Sequence, residues 1–335
     1  MNGSLRTAGL TLLGALVLQL LFIGSYVGAL HDPQPHEVPI GVAGPAQATA
    51  RIAADLRKGG QLDPKVVATE AQARHDIDHR ETYGAIVVTS ASTARLLTAE
   101  AAGPAVATVF AVALPPRLEK AGLRTTVRDV KPLPDSDPRG LSAFYLVIGW
   151  VVGGYLGATI LGLARGTAAG TRRLLGARLG ALSLYALVSG LLGTLVVEGL
   201  IGALGGSWLG VSLVGALVVL SVGLATAAIQ RFLGVIGTAL AILLFVIAGN
   251  PASGGPFARE LLPSLWATIG GLLPPGAGTD AVRNIVYFDG NAILGPILVL
   301  VAWAVLSAVV LVVAGPGRRS GTSDEELLGA AAAAA

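Results

Sequence analysis

"NPASGGPFARELLPSLWATIGGLLPPGAGTDAVRNIVYFDG" (residues 250–290) lies between two long apolar runs, and its reading decides the fold. Its prolines and glycines are too many for an uninterrupted membrane-spanning helix. Yet Phe257, Leu261, Leu265 and Ile269 recur every four positions, with Leu262 and Trp266 on the adjoining rows. That period predicts an amphipathic helix over residues 257–273, bent at Pro263, whose apolar stripe lies along the outer leaflet of a membrane or dips into it. "PPGAG" then reads as a turn, and Thr279 or Asp280 as the cap of a second short helix, "DAVRNIVYF". A passive interfacial anchor would keep the same stripe and the same tryptophan.

The membrane follows from composition. With 53% hydrophobic and only 13% charged residues and a mean hydropathy of +0.72, the chain does not read as two soluble domains. About 20 apolar residues of helix cross a hydrocarbon core about 30 Å thick. Six runs qualify, near residues 9–30, 141–163, 179–203, 209–229, 231–249 and 292–314. Continuous apolar runs call for helices, because a barrel strand would alternate. The first run exceeds the apolar length of a signal peptide and reads as an uncleaved anchor, residues 1–30. The expected division is then an external domain at 31–140, a five-helix membrane domain at 141–315 with a reentrant element at 250–291, and a cytoplasmic tail at 316–335.

Arginines set the orientation. Arg6, Arg165, Arg172, Arg173, Arg178, Arg231, Arg318 and Arg319 fall on one side, against Arg259 and Arg283 in short segments on the other. The positive-inside rule places both termini in the cytoplasm of a bacterial inner membrane and residues 31–140 outside. That segment holds thirteen acids against nine arginines and four lysines. The basic character of the chain is therefore an orientation signal and implies no nucleic-acid partner. No cysteine is present, so the external domain must fold on its own core.

Within it, "VPIGVAG" (38–44), "KVVATEA" (65–71), "YGAIVVT" (83–89) and "TTVRDVKPL" (125–133) read as strands. "AQATARIAADLRKGG" (46–60), "AQARHDIDHRE" (71–81), "SASTARLLTAEAAG" (90–103) and residues 104–121 read as helices, the third opened by capping serines. His75 and His79 share a helix face at zinc-site spacing, with Asp76 and Asp78 beside them, but a third strong ligand is missing. A helix that alternates Arg, His and Asp reads as a solvated face, so no metal site is expected.

The chain has no G-x-S-x-G, H-E-x-x-H or phosphate-loop motif, and no lysine in its membrane part. It carries no hydrolase or ATPase signature and calls for no cofactor, so any energy source must be another polypeptide. Gly149, Gly153 and Gly157 lie four apart in the second span and predict close helix packing, within the chain or across a dimer. Glu198 is the acid placed inside a span, near its outer end. An ionisable group there costs less than at the bilayer centre, so Glu198 reads either as a lining residue of a transport path or as a side chain that snorkels to the outer water.

One anchor, an external α/β insert, and five spans with a reentrant element before the last resemble the layout of type 2 ABC exporter permeases, and in particular the subgroup of phage infection protein relatives. The resemblance rests on "DHRETYGAIVVTSASTARLL" (78–97), similar to that subgroup's strand and capped helix. It rests more on "ELLPSLWATIGGLLPPGAGTDAVRNIVYFDG" (260–290), similar to the family's LP…PxGxxxxxxR segment. The resemblance implies a homodimeric or pseudo-dimeric membrane subunit that exports a lipid-like or amphipathic compound when a separate ATP-binding cassette subunit drives it. It implies an outer gate at Leu261, Leu265, Trp266, Ile269 and Arg283. Such permeases open with a cytoplasmic amphipathic helix, and here only residues 1–8 precede the first span. Coupling to the ATPase would then fall on residues 164–178, where Arg172, Arg173, Leu174, Leu175 and Arg178 could seat a short basic helix in a cleft. Contact with anionic membrane lipids would use the same arginines. The alternative function is a non-transporting scaffold or surface receptor that presents residues 31–140 to an external partner.

Overall fold

The computed structural model describes residues 2–167 and 170–315, apart from the side chains of residues 2–4 and 165. The tail at 316–335, with Arg318 and Arg319, lies outside the described residues, as does the side chain of Arg165. Helix α1 (Asn2–Leu30) leads into an α/β domain, and the remaining helices form a bundle below it. Five helical stretches are long and apolar enough to cross a membrane: Leu5–Leu30, Ser142–Ala164, Arg172–Ile201, Trp208–Ala252 and Leu294–Val313.

The α/β domain follows chain order as β1 (Val38–Ala43), α2 (Ala46–Arg57), β2 (Leu62–Val67), α3 (Glu70–Asp78), β3 (Gly84–Ser90), β4 (Thr93–Thr98), α4 (Pro104–Lys120) and β5 (Arg124–Asp129). The sheet order is β2-β1-β3-β4-β5. Only β3 and β4 run antiparallel. Strand β2 starts earlier than the sequence suggests and contains Pro64, which is tolerated because β2 is an edge. Alternation along the central strands sends Val38, Ile40, Val42, Ile86, Val88 and Leu96 to one face, under α2 and α4. Ala43, Ala85, Val87 and Leu97 go to the other, against α3.

Residues 90–103 are not the expected helix. The serines make a tight turn instead: Ser90 Oγ lies 2.6 Å from Thr93 Oγ1 and accepts from the Ser92 amide. "TARLLT" then pairs along β3 with Ala94, Leu96 and Leu97 buried. Burial on both sheet faces outweighs the helix preference of alanine and leucine in this stretch. The polar helix α3 ends at Asp78, and His79 follows as its cap residue. His75 and His79 stack with ring centroids 3.9 Å apart, and Asp76 is buried and accepts from Gln72 Nε2.

The bundle consists of α5 (Ser142–Arg165), α6 (Arg172–Thr194) continued by a π-helical segment Leu195–Ile201, α7 (Trp208–Leu233), α8 (Gly237–Ile242) continued by a π-helical segment Leu243–Ala248, and α9 (Gly249–Ala252). The short α10 (Ser264–Gly270), α11 (Pro274–Tyr287) and α12 (Leu294–Val313) complete it. The stretch Trp208–Ala252 is not one rod. Gly234 takes a φ of +61°, and Gln230 Nε2 bonds Thr238 Oγ1 at 2.9 Å. Phe245 joins Val218 and Val222 in the bundle core. The chain therefore doubles back at Gly234, later than the break expected near residue 230. Helix α7 is buried over most of its length, from Val211 to Gln230, and is the bundle's axis.

Glycine sets the closest approach between helices at positions other than the 149/153/157 stripe. Gly190 of α6 lies against the backbone of Ser212 and Ala216 in α7, where a Cβ has no room. Gly153 and Gly157 face Tyr185, and the space beside Gly149 is open.

Candidate functional site: a charged junction above an apolar cleft

Residues 250–290 do not form the expected bent amphipathic helix. After α9, a single 3-10 turn at Arg259–Leu261 is followed by extended Leu262, and only then by α10. Pro263 separates the two, since a proline disfavours helix in the residue before it. "PPGAG" is not a turn: Pro274 and Pro275 open α11, a position that suits residues without an amide donor. Thr279 and Asp280 sit inside that helix and cap nothing; Thr279 Oγ1 bonds back to Pro275 O.

This geometry divides the predicted stripe. Leu261 is buried with Ala258 in the core of the α/β domain, under α4. Trp266 turns the other way: its indole nitrogen donates to Ser25 Oγ at 3.2 Å, its ring packs on Gly28 of α1, and Ser25 Oγ in turn donates to Ile247 O. Leu265 is exposed and Ile269 half-buried. Beyond α11, Phe288 is wholly buried on the opposite face of the sheet. The segment thus enters both layers of the α/β domain, with Leu261 on one side and Phe288 on the other.

Charges close the same joint. Arg80 occupies a left-handed position just past α3, with φ +56°, where glycine is usual. From there its guanidinium reaches Asp280 Oδ1 at 3.2 Å and Asn284 Oδ1 at 2.9 Å. Arg259 Nη2 donates to Asp280 Oδ2 at 2.7 Å. Burial works to raise the Asp280 carboxyl, but Arg259 and Arg80 override it and hold the group below the ordinary aspartate value. The same pairing pushes Arg259 upward. Tyr83 donates to Glu260 Oε2 at 2.6 Å, and burial followed by the charge of Glu260 raises the phenol. Arg80 and Lys131 each stand 5.6 Å from the centre of the Phe288 ring.

Arg283, expected in an outer gate, is buried and has no salt-bridge partner among the described residues. It donates to the carbonyls of Gly254 (2.6 Å), Gly255 (2.8 Å) and Gly140 (3.1 Å). Burial and the charge of Arg80 lower its affinity for the proton. It therefore clasps the turn after α9 to the start of α5. Tyr287 donates to Asp137 Oδ2 at 2.9 Å, and Asp137 accepts from the amides of Leu141 and Ser142 at the start of α5. The link from the α/β domain into the bundle is fixed at both ends.

Beneath this junction, α5 and α6 part to leave an apolar cleft of about 690 Å³. Leu146, Gly149 and Trp150 line one wall, and Tyr185, Leu192 and Val196 the other. Trp150 Nε1 donates to Ser189 O at 3.1 Å across it. The π-helical segment Leu195–Ile201 forms its outer rim through Val196, Val197 and Ile201; such turns widen a helix and recur at functional sites. Glu198 belongs to the same π-helical segment but does not line the cleft; its Oε1 is buried and without a hydrogen-bond partner among the described residues.

At the opposite end of the bundle the expected coupling residues separate. Arg172 and Arg173 are exposed, with Leu174 half-buried. Leu175 packs with the lower core of α5, α7 and α12. Arg178 turns inward, donating to Thr167 O at 2.8 Å and Gln230 Oε1 at 3.1 Å. Gln230 is itself buried and bonds Thr159 and Thr238. Arg178 thus ties helix ends together, and the outward-facing basic surface is that of Arg172 and Arg173.

No signal in a single sequence could have paired Arg80 with Asp280. Glu198 stood out because a charge in an apolar setting is costly, and Arg283 only through the segment that the resemblance rests on. Comparison with family models, with curated proteins and with solved structures finds no match to this chain.

Proposed function

We propose that the protein is the six-pass membrane subunit of an exporter that moves a lipid-like or amphipathic compound outward when a separate ATP-binding cassette subunit drives it, working as a dimer, with both termini cytoplasmic. The observation that carries this reading is the cleft between α5 and α6. Its walls are almost wholly apolar, and its volume of about 690 Å³ is within the range of drug-sized ligand sites. An acyl chain fits such a cleft by burial alone. The doubled-back α7–α9 unit gives six passes from five long apolar stretches.

The scaffold or receptor reading is favoured by a different observation, the joint at Arg80, Leu261, Asp280 and Phe288. A domain held at so many points is presented in one orientation, which suits display to a partner. Reconstitution in lipid nanodiscs with the ATP-binding cassette protein that co-purifies from the native membrane separates the two. ATP hydrolysis together with outward movement of a fluorescent short-chain lipid supports export. If no such ATPase co-purifies, the export reading fails and the display reading takes its place.

A further inference from the structure

The α/β domain has its own groove, away from the joint. It runs between α2 and α4 beside the β3–β4 turn, with a volume of about 280 Å³. Ile52, Leu56, Leu114, Leu118 and Leu123 form its floor. Arg51 from α2 and Arg117 from α4 stand on its two banks, exposed, and neither has an ion-pair or hydrogen-bond partner among the described residues. Asp55 also reaches the groove, but Lys58 pairs with it at 3.4 Å. The bank charge therefore remains positive.

Helix α4 is unusual on this side. Pro115 and Pro116 lie inside it, so two successive helical hydrogen bonds are missing in the turn that carries Leu114 and Arg117. Packing such prolines into a helix is costly, and they flank Leu114 and Arg117, which line the groove.

We infer that this groove binds a single-chain anionic amphiphile, its alkyl chain on the leucine floor and its carboxylate or phosphate between Arg51 and Arg117. A neutral apolar ligand would leave the two guanidiniums without a counter-charge, and a free anion would leave the apolar floor uncovered. A two-chain lipid exceeds the volume. The site is independent of any transport through the bundle, so it stands or falls separately from the export reading.

The test uses the full chain in nanodiscs, with Ala91, on the groove's edge, replaced by cysteine in this cysteine-free sequence and labelled with an environment-sensitive fluorophore. Decyl phosphate should give a saturable spectral shift, and inorganic phosphate at the same concentration none. Replacing Arg51 and Arg117 together by alanine should weaken the response by about tenfold or more, the scale of losing charge-assisted contacts. Ala121→Trp, a change at an exposed lining position, should abolish it while thermal unfolding stays unchanged. A shift that survives Ala121→Trp comes from the nanodisc lipid and overturns the inference. An equal response to inorganic phosphate, no loss in the arginine variant, or no saturable shift at all overturns it too.

Discussion

Arg80 and Asp280 form an ion pair at 3.2 Å across the boundary between the α/β domain and the membrane bundle. They are far apart in sequence, one just past a surface helix and the other inside α11, and Arg259 closes on the second carboxylate oxygen of Asp280. This small cluster, with Leu261 and Phe288 on either side, joins the α/β domain to the bundle.

Asp280→Asn should therefore loosen the joint, because it leaves Arg80 and Arg259 facing a neutral amide. Breaking one side of a buried ion pair costs about 3 to 5 kcal/mol, which thermal unfolding in nanodiscs will register. The pH dependence has a fixed sign. The carboxyl is held below its unfolded value, so its contribution is full above the ordinary aspartate pKa of about 3.9 and is lost as the pH falls toward the lower folded value. Wild-type protein should lose stability in that acid window, and Asp280→Asn should show a flatter profile there.

Trp266 joins α10 to α1 through Ser25. Trp266→Ala should free the C-terminal end of α1 and leave the rest of the bundle in place. A spin label at Gly24, where the neighbouring space is open, should gain mobility in this variant. Unchanged mobility would show that other contacts hold α1.

Much of this architecture is readable from sequence period, and the exceptions have definite physical causes. The apolar runs and the strands at residues 38–44 and 83–89 were legible because burial imposes its period on them. Strand β4 was not, since serines cap helices and also make turns, and only the pairing with β3 decides between them. The Leu261 to Ile269 stripe has helical spacing, yet Pro263 breaks it and its two ends serve different neighbours. The cleft was illegible because its walls use the same leucines, valines and glycines as any span.

Orientation is checked by labelling whole cells with an impermeant thiol reagent. Cysteine at Ser92, exposed in the β3–β4 turn, should react in intact cells. Cysteine at Gly170, at the other end of the bundle with open space beside it, should react only after permeabilisation. Reaction at Gly170 alone inverts the topology.

Coupling to an ATPase should depend on shape as well as charge at the start of α6. Leu174→Asp should abolish stimulation of a co-purified ATPase, and Arg172→Lys with Arg173→Lys should reduce it only in part; Leu175 is left unchanged because it packs against the bundle core. If the arginine pair matters more than Leu174, anionic lipid is the ligand of that surface, at about 1 kcal/mol per arginine.

Occupancy of the α5–α6 cleft tests export most directly. Gly149 lines this cleft, and a Cβ added there has no neighbouring atom within 4 Å, so Gly149→Leu should extend into the cleft without disturbing the fold. A phospholipid bearing a diazirine in its acyl chain, photolysed with the wild-type protein in nanodiscs, should attach to residues of α5 and α6 that line the cleft, and attachment there should fall at least about tenfold in Gly149→Leu while labelling of α12 stays constant. Equal attachment to the cleft residues in both proteins, with unchanged labelling of α12, would show that those residues are reached from the surrounding bilayer and not by a chain seated in the cleft, and would contradict the account.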